Sequence, residues 1–174
     1  MLQMARLVGT PPKGIILQTR AGRNVENSQS CEPDARIRDC YNLFRRNHFV
    51  WVNRKPACGV YNCFGLLWAS RRTALYKESD ISHILTDDGY RRLVSDENPQ
   101  PGDIVLYLRT SDNTRDTLHA AMVVELKQLG TSTIEWVLSK WNDAFGEDIH
   151  ALKDVPEHFG DCQVEFWTDR PLRG

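Results

Sequence analysis

A chain of 174 residues, 41% hydrophobic and 26% charged, has the size and make-up of one globular domain with a packed core of its own. Its net charge of -1 excludes the basic footprint of a nucleic-acid binder, and the pairs Arg45–Arg46, Arg71–Arg72 and Arg91–Arg92 are scattered among acids. No stretch approaches the roughly 18 apolar residues of a membrane span, and the segment from Met1 to Thr10 lacks the form of a signal peptide. The expectation is therefore a protein folded in the cytoplasm where it is made, without a membrane partner, signal-independent export staying open. The five cysteines, Cys31, Cys40, Cys58, Cys63 and Cys162, are odd in number and contain no C-x-x-C. They imply no disulfide framework, and the spacing of Cys58 and Cys63 fits no zinc knuckle. No metal and no cofactor is expected.

Residues 1–34 lack periodicity and read as an N-terminal arm, with Gly14–Gln18 as its one short strand. Residues 35–48 predict a helix, because Ile37, Cys40, Tyr41 and Phe44 recur at helical spacing after Asp34, a suitable N-cap. A second helix begins at Asn62-Cys63 and ends near Arg72. Residues 73–98 read as a polar, partly helical excursion. The turn Pro99–Asp103 leads into a strand over Ile104–Leu108, with Asp103 as a turn-stabilising residue. Residues 109–118 read as a polar loop, followed by a strand His119–Leu126 that is apolar on both faces and hence central. A turn at Gly130, a returning strand Thr133–Trp141, a tail loop carrying His150 and a last strand Gln163–Trp167 complete the chain.

Chemistry is expected at Cys63. The first turn of a helix has unpaired N–H groups and a favourable dipole, which lower a thiol's pKa and can hold an oxyanion. Leu66 and Leu67 lie on the same helix face, so the sulfur is expected at the edge of the core. His119 opens the apolar strand, where an imidazole can reach a neighbouring helix terminus and serve as the base for a thiol. If the hairpin is centred near Gly130, residues whose numbers sum to about 260 face each other. His119 then faces Trp141, with Ser139 its nearest polar neighbour on that face; a one-residue slip brings Lys140 or Asn142 there instead. His48 reads as a surface residue.

Three blocks in order carry a family resemblance. Asn62-Cys63-Phe64-Gly65-Leu66-Leu67, Pro101-Gly102-Asp103-Ile104-Val105-Leu106-Tyr107 and His119-Ala120-Ala121-Met122-Val123-Val124 resemble the cysteine, strand and histidine blocks of NlpC-type cell-wall peptidases and the related CHAP amidases. The resemblance covers residues 58 to 142, with cysteine before histidine as in the unpermuted members. Ser139-Lys140-Trp141 with the later His150 also resembles a toxin-like branch of that superfamily.

The resemblance implies a papain-like α+β domain over residues 35–174, with the Cys63 helix packed on an antiparallel sheet of about five strands. It implies a cysteine peptidase or amidase: Cys63 attacks, His119 carries the proton, and Ser139, Asn142 or His150 orients the ring. Asn62 and Tyr61 are the expected oxyanion and cleft residues. The implied substrate is a peptide or amide, with a peptidoglycan stem peptide as the leading class. Deamidation, transglutamination or acyl transfer onto a protein is the alternative chemistry, and a catalytically silent binding module of the same fold is the alternative to any chemistry. Oligomeric state is not legible.

Overall fold

The computed structural model describes residues 14–29, 32–48, 50–111, 114–159 and 161–172. The arm expected over residues 1–34 lies partly outside these, as does Cys31. The described part of the arm packs on the domain, where Val25 is buried with Leu75, Ile81 and Ile84. The expected strand Gly14–Gln18 is reduced to a single bridge between Gln18 and Asn24.

Among the described residues, three α-helices, one short 3-10 helix (Glu157–Phe159) and seven strands follow. Helix α1 (Ala35–Asn47) starts where Asp34 Oδ1 accepts from the Ile37 N–H at 2.9 Å, and Arg45 and Arg46 lie in its last turn, where cations suit the dipole. It buries Tyr41, whereas Cys40 is exposed, against the expected pattern. Strand β1 (Val52–Lys55) is short and exposed along its length. Helix α2 (Cys63–Trp68) is capped by Asn62, whose side chain accepts from the Gly65 N–H at 2.9 Å. It stops earlier than expected because Ser70 and Arg71 take positive φ values of 48° and 64°. Helix α3 (Glu78–Asp87) lies within the polar excursion and buries Asp80, Ile81 and Ile84.

The sheet is antiparallel, in the order β1-β6-β5-β4-β3-β7-β2. Its members are β2 (Arg91–Arg92), β3 (Ile104–Ser111), β4 (Thr114–Leu129), β5 (Ser132–Ser139), β6 (Glu147–Ala151) and β7 (Gln163–Thr168). Seven strands replace the five expected. The fold is mixed α+β. The supposed loop 109–118 is largely hairpin: Arg109 pairs with Asp116 and Leu108 with Thr117. The pairs Met122–Leu138 and Val123–Val137 have the expected sum of 260, before a bulge shifts the register near Glu125.

Side-chain alternation divides this sheet into two faces. Ile104, Leu106, Leu108 and Ala120 pack against Phe64, Leu67 and Trp68 of α2, and Leu138 packs against Leu66 and Tyr61. Val105, Tyr107, Ala121, Val123 and Val137 form a second core on the opposite face, closed by Leu152 and Val155. Helix α1 serves that second face, where Tyr41 and Arg45 both bond Asp148, the cross-strand neighbour of Ser139. The return of the chain after α2 needs Gly65: a Cβ there would run into the Thr73 carbonyl oxygen.

Candidate functional site

Cys63 occupies the first position of α2 and is buried, 8% exposed. Burial pushes its thiol up to about 11, against the pull of N–H groups from Ala120, Phe64 and Cys63 itself and of the Lys140 ammonium. The N–H groups are those a helix start leaves unpaired, joined by one from β4. They favour negative charge at the sulfur, while the dry surroundings oppose it.

Asn62, expected to donate to an oxyanion, is bonded through both ends of its side-chain amide. Its Oδ1 accepts from Gly65 and Leu75 N–H groups, and its Nδ2 donates to the Leu75 carbonyl at 2.5 Å. It ties the chain after α2 back to the helix start. Tyr61 is engaged likewise: its hydroxyl donates to Glu147 Oε1 at 2.5 Å, and Arg71 Nε holds the same oxygen at 2.6 Å. Glu147 is fully buried. Burial pushes its carboxyl up, but the bonds from Arg71 and Tyr61 outweigh that and hold it below the ordinary carboxylate range. Two expected cleft residues are thus structural posts of the α2 terminus.

Lys140 joins this group. It is 1% exposed, its Nζ donates to the carbonyls of Cys58 (2.7 Å) and Phe145, and it sits 4.8 Å from the Tyr61 ring centre. Burial brings its ammonium down to about 8, with Cys58, Asp143, Glu147 and Cys63 acting the other way. Beside the helix start, Tyr76 follows Leu75, bonds Asp143 through its hydroxyl at 3.2 Å, and lines a cleft of about 290 Å³ with Glu26, Asn27, Ser28 and Lys77.

The structure does not bring His119 to Cys63. His119 was expected to open its strand, but β4 begins at Thr114 and His119 lies inside it, 2% exposed. It pairs with Tyr107, and Ala120 pairs with Leu106. Ala120 faces α2, so His119 faces the other way. Its ring lies on Trp141 with centroids 4.1 Å apart and 15° between planes, and Tyr107 and Phe159 close round it. Its Nε2 has no hydrogen-bond partner among the described residues. Burial first, then His150, holds its pKa well below the ordinary histidine value.

Ser139 and His150 stand on the same face as His119. Ser139 Oγ is 2.8 Å from His150 Nε2, and His150 Nδ1 is 2.8 Å from the Ala151 carbonyl. The carbonyl accepts only, so Nδ1 carries the proton and Nε2 accepts from the serine hydroxyl. Both residues are completely buried, and His150 is brought down to about 4, chiefly by burial. This is a pairing within the core, out of reach of a substrate. Asn142 turns its Oδ1 to the Ala144 N–H and shapes the turn between β5 and β6. His48, expected at the surface, stacks on Trp51, which stacks on His150 in turn. Asp103 fulfils its turn role through the Gln100 N–H and also holds Arg170.

Sequence reasoning missed the Glu147–Arg71 pair and weighed Lys140 only as a register alternative opposite His119. One signal was legible: a lysine inside the apolar run Val137-Leu138-Ser139-Lys140-Trp141 has no solvent-facing reason to be there. Among the described residues no group of three metal-binding side chains occurs, and no helix is long and apolar enough to cross a membrane. Comparison with protein-family models, with curated proteins and with solved structures finds no match to this chain.

Proposed function

We propose that this chain is a cysteine-dependent hydrolase of peptide or amide bonds, with Cys63 as nucleophile. The observation that carries the reading is the position of Cys63 as first residue of α2, where a helix start leaves backbone N–H groups unpaired. The same groups that favour a thiolate are suited to an oxyanion once a tetrahedral intermediate forms. The reaction passes through a thioester that water resolves. The papain-like architecture belongs to this proposal, supported by the three sequence blocks and by a cysteine helix laid on an antiparallel sheet. The role of base is not carried over to His119, whose ring stands on the far face.

The first substrate to test is a peptidoglycan stem peptide, because the sequence blocks resemble enzymes of that class. Purified protein incubated with peptidoglycan is expected to release new amino termini, and the Cys63→Ala variant none. Equal release by both would remove the hydrolase reading.

The burial of the thiol favours a second reading, a catalytically silent binding module. Sub-stoichiometric iodoacetamide separates the two. A nucleophile is labelled ahead of Cys40, Cys58 and Cys162; a core cysteine is labelled after them.

A further inference from the structure

Positive charge is gathered in one stretch of this chain. Residues 35–55 hold Arg36, Arg38, Arg45, Arg46, Arg54 and Lys55 against the single acid Asp39, in a chain whose net charge is -1. The rest of the chain is therefore acidic on balance. Arg45 is spent on the buried Asp148. The other five cations are exposed, and none takes part in an ion pair among the described residues.

The fold lays these residues side by side, because α1 and β1 run antiparallel to each other. Glu32, just before α1, lies 3.9 Å from the thiol of Cys58, just after β1. In the middle of both elements Asn53 Nδ2 donates to the Tyr41 hydroxyl at 2.8 Å. At the end of α1 the Trp51 N–H, just before β1, donates to the His48 carbonyl at 3.0 Å. Asn42, Arg45 and Arg46 line a shallow hollow of about 330 Å³ on the helix. Leu43, Val50 and Val52 are each more than half exposed, which adds apolar surface to the same region.

The strand in this region is also an open one. β1 ends the sheet: it pairs with β6 on one side and with no described strand on the other, and all four of its residues are exposed. Its outer edge therefore offers main-chain N–H and C=O groups to an added strand. Arg54 and Lys55 decide what can pair there. Edge-to-edge pairing of two copies would bring cations against cations, the usual guard of an exposed edge against self-association. A strand carrying carboxylates meets the opposite condition.

We propose that the outer edge of β1, with the exposed face of α1 beside it, docks an extended acidic segment of another polypeptide as an added strand. Main-chain hydrogen bonds to β1 supply the pairing, the unpaired arginines and Lys55 select for acid, and Val50 and Val52 supply apolar contact. An anionic lipid surface would be drawn by the same cations, but it leaves the edge N–H groups without acceptors in a regular row, which favours the strand. The proposal does not depend on the reading of Cys63.

The test titrates the whole isotope-labelled chain with a short blocked peptide alternating glutamate with valine, followed by amide NMR. The Val52–Lys55 amide signals are expected to move and saturate, and hydrogen exchange of the outward-facing β1 amides to slow. The glutamate peptide should bind about tenfold or more tightly than a glutamine–valine peptide, an advantage that shrinks as salt is added. The double variant Arg54→Glu, Lys55→Glu should lose that preference and take a lysine–valine peptide instead. If this variant does not fold, the three peptides compared on wild type decide the matter. No movement of the β1 signals at about 1 mM peptide overturns the proposal. So do equal binding of the acidic and neutral peptides, dimerisation of the free chain through β1, and binding to phosphatidylserine vesicles by a chain that ignores the peptides.

Discussion

The imidazole of His119 lies flat against the indole of Trp141, centroids 4.1 Å apart, on the sheet face that α2 does not cover. It belongs to a column in which His48, Trp51, His150, Trp141 and His119 alternate, with successive centroids 4.0, 4.8, 5.1 and 4.1 Å apart. A histidine in such a column is a packing residue whose polar nitrogen is a cost. His119→Phe keeps the ring and removes the unpartnered Nε2, so stability is expected to hold or rise by about 1 kcal/mol. The dependence of Cys63 alkylation on pH is expected to stay as in wild type. Urea denaturation and residue-resolved labelling check both, and a displaced alkylation profile would restore the Cys63–His119 dyad.

The same column makes the fold acid-sensitive. His150 takes up a proton near 6.5 when unfolded but only at about 4 when folded. Between those values the unfolded chain holds more protons, so stability is full above pH 6.5 and declines as pH falls toward 4. The loss from His150 amounts to about 3 kcal/mol and levels off below pH 4. His119 acts in the same direction. Urea midpoints at pH 7 and pH 4.5 should differ accordingly, and proton NMR of the His150 ring should show it neutral at pH 5.5. A charged ring at that pH in the native protein would refute this account.

Ser139→Ala tests whether the Ser139–His150 pair is structural. The substitution leaves a buried imidazole nitrogen without its hydroxyl partner, at a cost of about 1 to 3 kcal/mol. Thermal melting should register that loss, while the rate of Cys63 alkylation stays at the wild-type value. The opposite result, full stability with a slowed thiol, would return Ser139 to the site.

Gly65→Ala addresses the seating of α2. The added methyl group would meet the Thr73 carbonyl and crowd Tyr61 Cβ, both fixed by neighbouring hydrogen bonds. The cost is expected at about 1 to 3 kcal/mol or more, as for other overpacked sites. Because the movement occurs at the helix that carries Cys63, the alkylation rate should change as well. A fully stable Gly65→Ala protein would show that α2 can shift outward freely.

Much of this arrangement is written locally in the chain. Asp34 and Asn62 cap the helices that they precede, because a short acceptor side chain serves the free N–H groups three residues on wherever it stands. The β4–β5 hairpin is legible from the turn at Gly130, but the pairs beside that turn sum to 261, and those at Met122 and Val123 reach the counted sum of 260 only through the bulge before Glu125. The strands β1 and β6 are not legible: Val-Asn-Arg-Lys and Glu-Asp-Ile-His-Ala carry no alternation, and their pairing rests on partners elsewhere in the chain. Glu147 and Asp148 read as solvent-facing charges until Arg71, Tyr61, Arg45 and Tyr41 arrive from far along the chain to bury them. The decisive matter, which face of β4 receives α2, is also not local. Adjacent strand residues point to opposite sides, so covering Ala120 rather than His119 moves the imidazole from the thiol to the far core.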